Sequence, residues 1–233
     1  MKNKTSLLTT IFFGLAMLVG AQSFERQWDQ SKATDNAPSF LDGNTTCGIA
    51  ATPQYLFIAS RSEELNPEKK AILYLNPKTG ERIGTLDVGI ITPSAFSLND
   101  VEVSDDGQIL TSNIAFYHEK WTADGTWQFK VYKWIDVNAA PTLFIDYANP
   151  HHLRLGDVIS VKGDITQNAV FYSSVHQSPK VVRWEVVNGV LNPTPEIIHL
   201  VGIEEPNNQL GFPKITPIGV TKNDPFLLQC HGH

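Results

Sequence analysis

Two cysteines in 233 residues are too few for a disulfide scaffold, and neither lies in a metal-ligand spacing such as Cys-x-x-Cys. Cys47 and Cys230 allow one bridge in an oxidising compartment, or stand as two small buried hydrophobes, and the sequence leaves both readings open. Charged residues make up only 18% of the chain, with 18 basic against 24 acidic side chains. That balance argues against a nucleic-acid partner, because phosphate binding needs a basic footprint. No Gly-x-Ser-x-Gly elbow and no phosphate-cradling glycine loop is present, so neither a catalytic nucleophile nor a cofactor is assigned. Beyond the amino end, no apolar stretch approaches the roughly 20 residues that span a bilayer.

What is there begins with a tripartite leader. Lys2 and Lys4 give a positive start, Leu7 to Val19 an apolar stretch, and Val19-Gly20-Ala21 a small-residue cleavage site. A membrane anchor would need a longer run without Thr9 and Thr10. The expectation is that residues 1–21 are removed and that the product is exported, periplasmic or extracellular, with no membrane span left. Apolar residues make up 42% of the chain and include many β-branched and aromatic side chains, which favours sheet.

The chain also repeats itself. Lys130-Val131-Tyr132-Lys133-Trp134 recurs fifty residues later as Lys180-Val181-Val182-Arg183-Trp184, and Lys70-Ala71-Ile72-Leu73-Tyr74 fits the same register. In phase with them, Asp100-Val101-Glu102-Val103 matches Asp157-Val158-Ile159-Ser160. Gly48 to Thr52 and Ile215 to Val220 hold the same place in their copies. Each is followed by a turn, Asp105-Asp106-Gly107 being the strongest hairpin signal, and then by a second strand: Tyr55–Ser60, Ile109–Ile114, Ala169–Val175 and Phe226–Cys230. Fourth strands follow at Glu81–Val88, Thr142–Tyr147 and Glu196–Val201.

Four antiparallel strands per unit, with no helix between units, predict an all-β chain of the β-propeller type. Three units are complete and the fourth stops after its second strand, while closed propellers have about 4 to 8 blades. The expected organisation is a signal peptide over 1–21, an extension over 22–46 that offers an outer strand, and a partial propeller over 47–233. Such a fragment would carry an exposed strand edge and be marginally stable alone.

The series Gly48-Ile49-Ala50, Ala59-Ser60-Arg61, Asn76-Pro77-Lys78-Thr79-Gly80, Leu98-Asn99-Asp100-Val101, Ser104-Asp105-Asp106-Gly107, Ser112-Asn113, Lys130 to Trp134 and Arg154-Leu155-Gly156-Asp157 resembles a family of exported bacterial β-propeller proteins of unknown function. The resemblance covers most of the mature chain. It implies a propeller fold, an extracytoplasmic location and members longer than this chain. It implies no activity.

Candidate chemistry gathers where strands begin and end. Asn99, Asp100 and Asp157 precede equivalent strands, so a propeller would bring them to one mouth of its channel, where carboxylates from several blades bind a cation or polar ligand. The competing reading is that they cap turns. Arg61 and Asn113, each at the end of a second strand, would join such a site or serve as ordinary surface and inter-blade hydrogen-bonding groups. Asp105-Asp106-Gly107 lacks the alternate acids and distal Glu of a calcium loop and reads as a hairpin turn. Adjacent His151 and His152 would point to opposite faces of a strand, and Cys230, His231 and His233 sit at the chain terminus. No metal site is assigned to either group. Trp134 and Trp184, at equivalent positions, read as core.

Two functional classes follow. One is a rigid scaffold that binds an extracytoplasmic ligand or protein, still unidentified. The other is a hydrolase or lyase acting on a carbohydrate or lactone with a metal in the channel.

Overall fold

The computed structural model describes residues 28, 29, 38, 45–68, 70–92, 96–116, 127–203 and 211–229. The leader, most of the 22–46 extension, and Cys230 to His233 lie outside the described residues. So, with Cys230, does one half of the disulfide question.

The described residues contain no helix and form antiparallel sheets that follow one another along the chain. Sheet 1 is β1 (Thr46–Ala51), β2 (Leu56–Ser60), β3 (Ala71–Leu75) and β4 (Arg82–Thr85), paired in sequence order. Sheet 2 repeats the pattern with β5 (Asp100–Val103), β6 (Ile109–Ser112), β7 (Phe129–Trp134) and β8 (Thr142–Tyr147). Sheet 3 is β9 (Ile159–Gly163), β10 (Ala169–Ser174), β11 (Lys180–Val187), β12 (Val190–Leu191) and β13 (Glu196–His199), the last two both pairing with β11. Sheet 4 is the pair β14 (Lys214–Pro217) and β15 (Phe226–Gln229). No described strand pairs sheet 4 back to sheet 1, so the array is open.

The second strands of sheets 1 to 3 read as continuous apolar or small-residue runs because they are covered on both faces. Every residue of β6 and β10 is buried, whereas three of the four β4 residues are exposed. Alternate residues of a strand serve alternate neighbours. Ile109, with Val101 and Trp134, packs against Phe57 and Ile72 of sheet 1. Leu110, with Phe129 and Val131, packs against Phe171 and Trp184 of sheet 3. Val170 and Tyr172 face the other way, onto Ile215 of sheet 4. Trp134 and Trp184 are both fully buried, as their equivalent positions in the repeat suggest. Trp134 Nε1 donates to the Asp87 carbonyl at 2.7 Å, while Trp184 Nε1 has no hydrogen-bond partner.

The structure departs from the four-strand repeat in one place. Asn188 and Gly189 both adopt positive φ, 50° and 76°, which is the backbone a two-residue hairpin turn requires. This turn lengthens β11 to Val187 and adds β12, an extra ribbon in sheet 3.

Ahead of sheet 1, Trp28 is seated on the β3–β4 turn, its Nε1 donating to the Pro77 carbonyl at 3.0 Å. Gly80 makes room for it: with φ at +73°, a Cβ there would lie 2.7 Å from the indole ring.

The first strands lie side by side in chain order, β1 beside β5, β5 beside β9 and β9 beside β14. They begin, and the second strands end, on one side of the array. That side therefore carries the described parts of the connections between sheets, 86–92, 96–99, 148–158, 200–203 and 211–213, and the opposite side carries hairpin turns such as 104–108 and 164–168.

Candidate functional site

Asp100, the first residue of β5, is buried where three first strands meet. Its Oδ1 accepts from the Val101 amide at 3.0 Å and its Oδ2 from the Ile159 amide at 2.9 Å, just inside β9. On the other side it rests on β1 at Gly48, where a Cβ would come within 2.4 Å of Oδ1. A glycine in one strand thus makes room for a carboxylate from the next, which grips the third.

Burial pushes the Asp100 carboxyl up to about 6 from its ordinary 3.8, against the pull of the Ile159 amide and the Lys214 charge. Glu102, two residues on and on the same side of the strand, meets the Lys214 ammonium, which also reaches the Ile159 carbonyl at 3.2 Å. Burial raises the Glu102 carboxyl too, in spite of that ion pair.

A pH dependence follows. The folded Asp100 holds its proton to about pH 6, while an unfolded one releases it near 3.8. The stability this adds is complete below pH 3.8 and is lost as pH rises to about 6 and beyond. A rise from 3.8 to about 6 is equivalent to about 3 kcal/mol of stability lost across that window. Chemical denaturation measured every half pH unit should show this decline, with Glu102 adding in the same direction, and Asp100→Asn should flatten it. A wild-type profile rising across this window would contradict the assignment.

The neighbouring candidates fall in different places. Asn99 is buried at the same junction, its Nδ2 donating to the carbonyls of Gly156 and Asp157, both at 3.0 Å. The Asp157 carboxylate is gripped by Arg154, whose Nε and Nη2 each donate at 2.7 Å. Asn113 accepts from the Lys130 amide at 2.8 Å and donates to the Gln128 carbonyl at 2.9 Å, closing the base of the β6–β7 connection. Arg61 stacks its guanidinium 4.9 Å from the Phe96 ring centroid and bonds the Cys47 thiol, whose pKa burial raises and Arg61 opposes. Asn99, Asp100 and Asp157 therefore share the junction of sheets 2 and 3. The two carboxylates engage separate partners.

Register explains that separation. Asp100 lies opposite Ser112, which pairs onward with Val131. In sheet 3 the corresponding serine is Ser174, paired onward with Val181, and continuing the β9–β10 register sets Val158 opposite it. Asp157 falls one step earlier, at the place of Asn99. A one-residue shift turns a side chain to the other face of a strand.

Other sequence candidates resolve as follows. Asp105 and Asp106 sit at a hairpin turn with Gly107 at φ +85°, and they tie sheet 2 to sheet 3 through Lys162, the Gly163 amide and the Ile165 amide. His152 stacks on Trp127 with centroids 5.2 Å apart. Among the described residues no group of three or more His, Cys, Asp or Glu side chains is placed to hold a metal.

Sequence reasoning missed Arg154 as a site residue, together with two phenylalanines beside it. Phe96 and Phe116 lie 5.3 Å apart, and the Arg154 guanidinium stands 5.1 Å from the Phe116 centroid. With Arg61 they form a cluster of two rings tilted 59° to each other with a guanidinium over each, drawn from four different connections. No sequence spacing announces it.

A family model described as a domain of unknown function, DUF8500, matches residues 65–231. No curated protein matches the chain. Among solved structures, a DUF4623 family protein from Bacteroides eggerthii DSM 20697 superposes with a TM-score of 0.63 at 14% identity, over 84% of this chain and 43% of that one. The chain thus spans less than half the length of that structure, and the likeness is one of fold. An exo-β-1,3-galactanase from Phanerochaete chrysosporium gives a TM-score of 0.45 at 12% identity, over 80% of this chain and 43% of that one. The computationally designed Ika4 protein gives 0.40 at 9%, over 83% and 96%. Both are too distant to bear on the chemistry of this chain.

Proposed function

We propose, from the premise that this chain belongs to the DUF8500 family of unknown function, that it is part of an exported β-propeller binding a ligand or partner protein outside the cytoplasm. The observation that carries this reading is the succession of first strands, each beside the next, in sheets of which two have the same four-stranded order and a third adds one short ribbon to it. Sheets arranged in this way present their connections on one side, around a common mouth. Loops on a rigid scaffold are where binding residues concentrate. Export rests on the leader of residues 1–21, with 22–46 as an extension and 47–233 as the sheet-bearing part. In this reading Asn99, Asp100 and Asp157 line the mouth and Arg61 and Asn113 stand at its rim.

The test is a melting panel on the full chain with calcium, magnesium, neutral monosaccharides and acidic monosaccharides. A ligand that binds the folded state raises Tm by mass action. At least one member should do so, with the rise diminished by Asn99→Ala or Asp157→Asn and untouched by Lys162→Ala on the opposite side. A panel without any shift, or a shift that follows Lys162 instead, would sink the reading.

A further inference from the structure

The cluster of Arg61, Phe96, Phe116 and Arg154 has a chemistry of its own. Its members come from connections after β2, before β5, after β6 and before β9, so it bridges sheets 1, 2 and 3 on the side where the first strands begin. Successive contacts are 4.9, 5.3 and 5.1 Å. Phenylalanines of the sheet interiors, Phe57, Phe129 and Phe171, are at most 1% exposed. Phe96 and Phe116 are only half-buried, side by side. Leaving two rings partly in water on one face forgoes burial free energy that an apolar ring surface of a ligand would recover.

The polar ends complete the picture. Asp157 takes two of the five N–H groups of Arg154, and Arg154 remains 33% exposed. Its remaining donors lie in the guanidinium plane, which the two bonds to Asp157 hold in place. Planar paired donors match a carboxylate, which accepts two charge-assisted hydrogen bonds in parallel. The second guanidinium, Arg61, lies over Phe96 at the far end of the cluster. An acidic chain with a net charge of −6 thus sets two guanidiniums, one of them paired with Asp157, beside two half-buried rings.

We infer that this cluster binds a ring-shaped ligand carrying a carboxylate, and specifically a uronic acid unit of an acidic saccharide. This rests on the reading of the loop-bearing side as a ligand site and names the ligand class for it. A sugar ring lays its C–H face on the phenylalanines while its carboxylate meets Arg154. An aromatic acid shares the ring and the carboxylate but not the hydroxyls.

The experiment uses the full chain and four probes: D-glucuronate, D-galacturonate, D-glucose and benzoate, each titrated by calorimetry and by melting temperature. At least one uronate should bind, and glucose should bind at least about tenfold more weakly because it lacks the charge-assisted pair. Arg154→Gln should weaken uronate binding by a similar factor. Because that change also releases Asp157, Phe116→Leu is the second variant: it keeps apolar volume, should leave the melt of the free protein within a few degrees, and should still weaken uronate binding. Uronates binding no better than glucose, or binding unaffected by Phe116→Leu, overturns the inference. Benzoate binding in place of the uronates overturns the saccharide assignment. If a divalent ion or neutral sugar raises Tm in a manner dependent on Asn99 or Asp157 while uronates do not, the ligand class fails and the ligand-binding reading of that side survives. If nothing shifts the melt, both fail.

Discussion

Replacing Gly156 by alanine should cost about 3 kcal/mol or more of stability, more than a typical single substitution. Two effects combine at this position. The backbone has φ at +87°, where a side chain is strained, and a Cβ would lie 1.9 Å from the Asn113 carbonyl oxygen, a backbone atom that has no soft rotamer to yield. Relief would require sheets 2 and 3 to separate where they are stitched together. The Gly156 amide donates to Ser173 Oγ at 2.9 Å and its carbonyl accepts from Asn99 at 3.0 Å. Next to it Ala115 and Leu155 exchange backbone hydrogen bonds of 2.9 and 3.2 Å. The midpoint of urea unfolding measures the loss, and a variant within about 1 kcal/mol of wild type would show that the two sheets are not held this closely.

Trp184→Ala should be of similar or greater severity, about 3–5 kcal/mol. The indole is fully buried between sheets 2 and 3, with Phe129, Tyr147 and Phe171 at centroid distances of 5.4, 5.6 and 5.9 Å. Truncation removes the centre of that aromatic cluster and leaves a cavity that the surrounding strands cannot collapse into without breaking their ladders. Trp184→Phe should cost markedly less, because the lost indole N–H is one that has no hydrogen-bond partner and carries a desolvation cost in the fold. Denaturation curves of the two variants separate these terms. Equal losses would mean that the volume of the ring contributes little, and a loss under about 1 kcal/mol for the alanine would mean that the site is not core.

Most of the sheet pattern was legible because the physics that builds it is local. The second strands β6 and β10 are buried on both faces and so read as short runs of apolar and small residues, and Asp105-Asp106-Gly107 marks its hairpin by the positive φ that only glycine adopts freely. Asn188-Gly189 carries the same kind of signal, yet a repeat of four strands per unit leaves no place for the β12 ribbon it creates. The equivalence of Asp100 and Asp157 failed for a different reason. Asn99-Asp100 and Gly156-Asp157 look alike in sequence, but register is set by cross-strand pairing, and one residue of offset assigns Asp157 to the position of Asn99. The Arg61, Phe96, Phe116 and Arg154 cluster was illegible because its members meet only once three sheets are packed. Their spacings along the chain follow from connection lengths and not from any periodicity.

The meeting of three first strands at Asp100 both packs the sheets and forms the floor of the proposed mouth. Its most direct measurement is a carbon-13 NMR titration of the Asp100 side-chain carboxyl in the folded protein, assigned by its loss in Asp100→Asn. Convergence of Gly48, Asp100 and Ile159 predicts a midpoint of about 6. A midpoint at the ordinary 3.8 would mean that water reaches this carboxylate freely, and that the first strands do not meet as described.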